Sequence, residues 1–178
     1  GRSGDVTQLA ALGRAHGFTA DVVAPVTDGD GTISSTRVRA ALRAGDPALA
    51  ARLLTRPFTI RGVVEHGAKL GRTLGFPTAN MRLGDYVRPA YGVYAVRARL
   101  ASGEVVDGVA NLGIRPMIDP PVELLETWLL GWSGDLYGQS VDVELIAYLR
   151  PEAKLDGLEA LKAQVFADAE AAKAALRA

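Results

Sequence analysis

The chain has no cysteine and only two histidines, His16 and His66, among its 178 residues. The first absence removes disulfides, iron–sulfur clusters, thiolate zinc and cysteine nucleophiles together, and it fits a reducing, cytoplasmic compartment. The two histidines stand far apart with no partner at ligand spacing, so neither a histidine metal site nor a Ser-His-Asp triad is expected. Charge of one sign is also missing. Lys+Arg 20 balance Asp+Glu 20, and no long run of Lys or Arg makes a local basic patch, which argues against binding nucleic acid through its phosphates. No window of about 18 uninterrupted apolar residues occurs, since even 124–130 is broken by Glu126, and no basic-then-apolar signal opens the chain. A membrane partner is not expected. What is present, 48% hydrophobic and 22% charged residues, is enough to bury a core without disulfide or structural metal. The chain starts Gly1-Arg2-Ser3-Gly4 without Met, and reads as a fragment of something longer.

Two periodicities divide it near Leu54. Val6, Leu9 and Leu12 space a short helix over 6–16 that Gly17 closes, and 19–24 reads as a brief strand, so the front is expected to be part of an α/β module. A turn-rich loop, 27–32, follows. Ser34 or Ser35 can cap the next helix. Asp46 as cap and Pro47 at the first helical position then start another, running to Leu54. After Pro57 the period falls to two, and 58–64, 76–83, 92–100, 105–112, 124–130 and 141–149 are six candidate strands parted by Gly, Pro or Asp turns. Six short strands without intervening helices suggest a closed antiparallel barrel. Leu158, Leu161 and Val165 form the apolar stripe of one last helix, which must lie on that barrel.

The most unusual stretch is GAKLGRTLGFPTAN, residues 67–80. Gly67, Gly71 and Gly75 recur every fourth position, and glycines permit positive φ and close backbone approach. With Lys69 and Arg72 beside them, the exposed amides of such a loop can receive a nucleotide's phosphates; the alternative is a flexible hairpin loop. Thr78 and Asn80, two apart on a strand, project to one face, and Pro77 between loop and strand marks a sheet edge. A hard cation such as Mg²⁺, which takes oxygen ligands and keeps several waters, suits a threonine oxygen plus phosphate oxygens; the alternative is a Thr/Asn pair closing a turn. Glu126 shares strand parity with Val122, Leu124, Trp128 and Leu130 and should face the apolar side, although Leu125 and Leu129 make the other face partly apolar too. It is either a structural ion pair, for instance with Arg115 or Arg150, or a general base.

These segments, with PAYGVY at 89–94, VANLGIRP at 109–116, Leu125-Glu126, GDLYG at 134–138 and YLRPE at 148–152, occur in an order that resembles the riboflavin kinase module of bacterial bifunctional riboflavin kinase/FMN adenylyltransferase. The likeness covers about residues 56–178. Residues 1–5 and the SSTRVR segment at 34–39 are similar to the closing part of the adenylyltransferase module of the same family, where Ser-Ser-Thr-x-x-Arg helps hold ATP phosphates. The His-x-Gly-His type signature of that module does not occur here, so residues 1–54 are expected to be a partial module that does not adenylylate FMN, with the kinase domain at 55–178.

The resemblance implies a mainly β fold, a six-stranded antiparallel Greek-key barrel with a C-terminal helix, preceded by a partial nucleotidyltransferase-like segment. It implies transfer of the ATP γ-phosphoryl group to the 5′-hydroxyl of riboflavin, with Mg²⁺ as cofactor. Position by position, Thr78 and Asn80 would bind the metal and the phosphates, and Glu126 would be the catalytic base. Gly67, Lys69, Leu70, Gly71 and Pro77 would belong to the nucleotide flap with Tyr137 near it, and Arg150, Asp156 and Leu158 would line the flavin side. Met117, Gly131 and Leu155 depart from the family's usual Thr, Asp and Phe, which bears on affinity more than on reaction type. Two other readings stay open: a non-catalytic flavin-binding barrel or regulator, and a small barrel serving as an interaction module.

Overall fold

The computed structural model describes residues 5–67, 70–115 and 121–177. The chain divides into two compact units, one ending at Ile33 and the other starting at Ser34. In the first, helix α1 (Val6–His16) is capped by Asp5, whose carboxylate accepts from the Gln8 amide, and is closed by Gly17 at φ 77. Only two-residue strands β1 (Thr27–Asp28) and β2 (Gly31–Thr32) follow, paired with each other as a minimal hairpin. The strand expected at 19–24 does not form. An extended segment is a strand only when a neighbour takes up its hydrogen bonds, and among the described residues none does; Val22 and Val23 stand 63% and 89% exposed. A nucleotidyltransferase-like α/β layer is therefore not seen among the described residues.

The second unit begins with α2 (Ser35–Arg43), capped by Ser34, and α3 (Pro47–Leu54), capped by Asp46 with Pro47 in the first turn. Both helices start as their polar caps dictate. Then come β3 (Phe58–Val63), the short helix α4 (Leu70–Leu74), β4 (Thr78–Arg82), β5 (Gly92–Arg99), β6 (Val105–Arg115), β7 (Val122–Leu129), β8 (Ser140–Arg150) and α5 (Gly157–Arg177). All six expected strands are present. They form one antiparallel sheet in the order β3-β8-β5-β6-β7-β4. β5, β6 and β7 are a meander, β8 returns beside β5, and β4 lies beside β7, so two Greek keys overlap on the same meander.

The sheet curls until its edges meet, but the seam is a single bridge, Glu65 to Asn80, with the Glu65 amide on the Asn80 carbonyl at 2.8 Å. A full ladder is not formed there. Pro77, just ahead of the edge strand, has no N–H to give, and the chain between β3 and β4 leaves the sheet to make α4. Inside the cylinder pack Ile60, Met81, Tyr94, Leu112, Leu125, Leu129, Val143 and Leu145. A second core lies outside it, where Ala169, Ala172 and Leu176 of α5 cover Val93, Ala95 and Val109. No helix among the described residues is long and apolar enough to cross a membrane.

Candidate functional site

Strand register brings the polar residues together. Val93, Asn111, Glu126 and Asn80 lie in one row across β5, β6, β7 and β4; Ala95, Val109, Trp128 and Thr78 form the row two positions on. Because side chains alternate, both rows project to the same side, the outer wall of the cylinder on which α5 is laid. Glu126 thus does not face the main apolar interior, as its parity suggested. That side belongs to Leu125, Thr127 and Leu129, all buried. Both faces of β7 are apolar because one lines the cylinder and the other lies under a helix.

Between this wall and α5 opens a cavity of about 370 Å³, within the size range of small-molecule sites. Thr78, Asn111, Arg115, Glu126, Trp128 and Arg150 contribute to its sheet side, and Leu155, Leu161, Val165 and Asp168 to the other. Thr78 also borders two smaller cavities. One, about 30 Å³, is enclosed by Gly67, Arg72, Pro77, Asn80 and Tyr137; the other, about 60 Å³, runs past Tyr137 to Ser133 and Trp132. Thr78 is therefore the shared wall between the space under the glycine segment and the large cavity.

Glu126 is ion-paired. Its Oε2 accepts from Arg115 Nε at 2.7 Å and from Arg115 Nη2, and Arg115 Nη1 donates to Glu152 Oε1 at 3.2 Å. Burial weighs against the Arg115 charge, but the hydrogen bonds and charges of Glu126 and Glu152 outweigh it and leave the guanidinium above its ordinary pKa. Arg150 is clamped to Asp168 of α5 by two bonds, Nε to Oδ1 at 2.7 Å and Nη2 to Oδ2 at 2.6 Å, and Gln164 Nε2 adds a third donor to Asp168 at 2.9 Å. The Asp168 bonds raise the Arg150 pKa against the opposing effect of burial.

The glycine segment is only partly a loop, since α4 occupies 70–74. A side chain at Gly67 would put its Cβ 2.6 Å from Asn80 Nδ2, so glycine lets the backbone lie directly on that carboxamide. The Tyr137 ring stacks on His66, centroids 3.8 Å apart, and carries the Arg72 guanidinium 5.9 Å from its centre. Gly71 borders the large cavity. Leu70 opens α4; Lys69 and Met117 lie outside the described residues. Asp156 and Leu158 are both exposed and do not line the large cavity, whose helix side is bordered by Leu155, Leu161 and Val165. Sequence reasoning missed Asn111 and Glu152 as wall residues and Thr127, whose buried hydroxyl borders the 60 Å³ cavity with no hydrogen-bond partner among the described residues. Only strand register, which periodicity does not give, brings Asn111 opposite Glu126.

The oxygens that could meet a divalent cation here are neutral, the Thr78 hydroxyl and the Asn80 carboxamide; Asn80 Nδ2 donates to the Thr78 carbonyl at 3.3 Å, which leaves Oδ1 as the carboxamide's acceptor. No cluster of three or more His, Asp or Glu suited to a metal exists among the described residues. Such a donor pair fits an ion carried mainly by phosphate and water oxygens.

Fold and cavity define a Greek-key sheet with a small-molecule-sized pocket outside the cylinder, under a C-terminal helix. The family model described as Flavokinase: Riboflavin kinase matches residues 54–176. The chain belongs to the riboflavin kinase family. It is 46% identical over 173 residues to the bifunctional riboflavin kinase/FMN adenylyltransferase of Haemophilus influenzae, covering 97% of this chain and 56% of that protein. The Bacillus subtilis protein of the same name is 40% identical over 155 residues, covering 85% of this chain and 49% of its own length. A solved structure described as a macrolide-efflux protein from Streptococcus pneumoniae aligns with TM-score 0.79 and 35% identity, over 91% of this chain and 53% of that one. The chain spans about half the length of the curated relatives it matches.

Proposed function

We propose that this chain transfers the γ-phosphoryl group of ATP to the 5′-hydroxyl of riboflavin, giving FMN and ADP. The observation that carries the reading is that Thr78 and Glu126 open on one cavity of about 370 Å³, with Thr78 also bordering the space beneath Gly67. A nucleotide held on the Gly67, Asn80 and Tyr137 side would point its terminal phosphate past Thr78 toward a flavin in the larger cavity. Phosphoryl transfer through a loose transition state asks mainly for alignment and charge neutralisation, so a chain without cysteine or a usable histidine is adequate to it. Thr78 and Asn80 would hold Mg²⁺ in this scheme, which would supply charge neutralisation to the phosphates. Glu126 orients the ribityl hydroxyl and accepts its proton as the P–O bond forms. Arg150, fixed by Asp168, borders the flavin side.

The second activity in the relatives' name, FMN adenylylation, we propose only for a protein of their full length; the His-x-Gly-His type segment does not occur in these 178 residues. Incubation with riboflavin and Mg-ATP, read by chromatography of flavins and nucleotides, is expected to give FMN and ADP in equal amounts, and chelation of divalent ions to stop both. A change in flavin fluorescence with no FMN would mark a binder and overturn the reading. Gly67→Val tests the glycine contact with Asn80: the new side chain must push the Asn80 carboxamide aside, so turnover is expected to fall by ~10-fold or more with melting nearly unchanged, since small misplacements near the reacting groups are costly.

A further inference from the structure

Arg115 spends its bonds unevenly on Glu126. Both Nε and Nη2 go to Oε2, and Oε1 accepts no hydrogen bond among the described residues. The guanidinium is itself held from behind. Its Nη1 donates to Glu152 Oε1, the same oxygen that accepts from Asn111 Nδ2 at 3.1 Å. Glu152 reaches this place only because position 113, between Asn111 and Arg115 on the same face of β6, is glycine: a Cβ there would stand 2.1 Å from Glu152 Oε1. The chain thus builds a relay, Asn111 and the gap at Gly113 seating Glu152, Glu152 fixing Arg115, and Arg115 pinning one oxygen of Glu126.

We infer that Arg115 is a positioning residue for phosphoryl transfer, holding Glu126 by Oε2 so that Oε1 is presented to the acceptor hydroxyl, with Glu152 keeping Arg115 in place. This rests on Glu126 being the base. A carboxylate free to rotate would share its time between substrate, solvent and cation; one oxygen pinned by two donors leaves the other in a single direction, which is how a surrounding shell of contacts raises the yield of productive encounters. The opposite role is an inhibitory lock, in which Arg115 holds the base away from substrate, and the same variants decide between them.

In Arg115→Ala, kcat for FMN formation is expected to fall ~10–100-fold while both KM values stay within ~3-fold, the pattern of an interaction felt only at the transition state. Arg115→Lys should recover part of the loss, and guanidinium ion added at millimolar concentration should restore turnover to Arg115→Ala at least ~5-fold without affecting the parent, a response no general loss of folding gives. Glu152→Gln should reproduce a weaker form of the defect. The decisive arm is the double variant. If Arg115 acts through Glu126, adding Arg115→Ala to Glu126→Gln costs no more than ~3-fold beyond Glu126→Gln alone, because groups working as one unit are not additive. Losses that multiply, or an Arg115→Ala enzyme as fast as the parent or faster, overturn the positioning role. Should Glu126→Gln alone keep full turnover, the base assignment fails and this inference falls with it, whereas an inert Arg115→Ala beside a crippled Glu126→Gln sinks the inference only.

Discussion

Replacing Glu126 by Gln is expected to lower kcat by ~10²–10⁴ while leaving fold and nucleotide affinity nearly intact, the range associated with removing a general base. The substitution keeps the shape of the side chain and an oxygen able to accept from Arg115, so the partly buried pair at the end of β6 is weakened and not abandoned. What is lost is the negative charge and the capacity to take a proton. A carboxylate is a weak base toward an alcohol, so most of the effect comes late, when phosphorus–oxygen bonding has made the hydroxyl acidic. KM for ATP should change little, because Glu126 does not line the small cavity that Gly67, Asn80 and Tyr137 border beneath the glycine segment. Steady-state FMN formation alongside thermal melting checks this: a purified, folded variant with turnover near that of the parent removes Glu126 from the chemistry.

Local sequence rules carried the framework because each rests on contacts a few residues long. The cap at Asp46 with Pro47 behind it, the αL glycine at 17 and the alternation in β8 all depend on neighbours in the chain, and the elements formed where those signals stood. Segment 19–24 has strand-forming residues too, but a strand exists only through its partner, and the signal within it says nothing about one. The same limit hid the cavity. Alternation in β7 gives two half-apolar faces and does not tell which is roofed by α5; that follows from pairing with β4 and β6. Asp156 and Leu158 were matched to the flavin side by sequence position alone, yet α5 starts at Gly157 and turns Leu161, Val165 and Asp168 toward the sheet, one to three turns further on. Glycine spacing at 67, 71 and 75 was informative about backbone approach at Gly67 but silent about the helical turn between the first and last of them.

Asp168→Ala should be the most damaging single change for stability among the cavity residues, and it follows from how α5 is fastened. The helix covers the outer wall with small side chains, Ala169 and Ala172, and so buries modest apolar area in that stretch. Its polar anchorage is correspondingly important. Asp168 is 6% exposed and takes both arms of Arg150 as well as the Gln164 amide. Removing it leaves a half-buried guanidinium whose remaining described bond is to the Pro151 carbonyl, and a donor on Gln164 without its acceptor. Breaking a buried pair from one side costs ~3–5 kcal/mol, which the residual exposure of Arg150 reduces to about 2–4 kcal/mol. At about 2–4 °C per kcal/mol for a chain of this size, melting should drop by roughly 5–15 °C. Asp168→Asn keeps one acceptor and should lose less than half as much. Because Arg150 then swings free of α5 at the edge of the cavity, KM for riboflavin should rise in Asp168→Ala even at temperatures where the protein is folded, while KM for ATP holds. Equal melting of variant and parent, or a rise confined to KM for ATP, would show that the helix is held by other means and that Arg150 does not border the flavin.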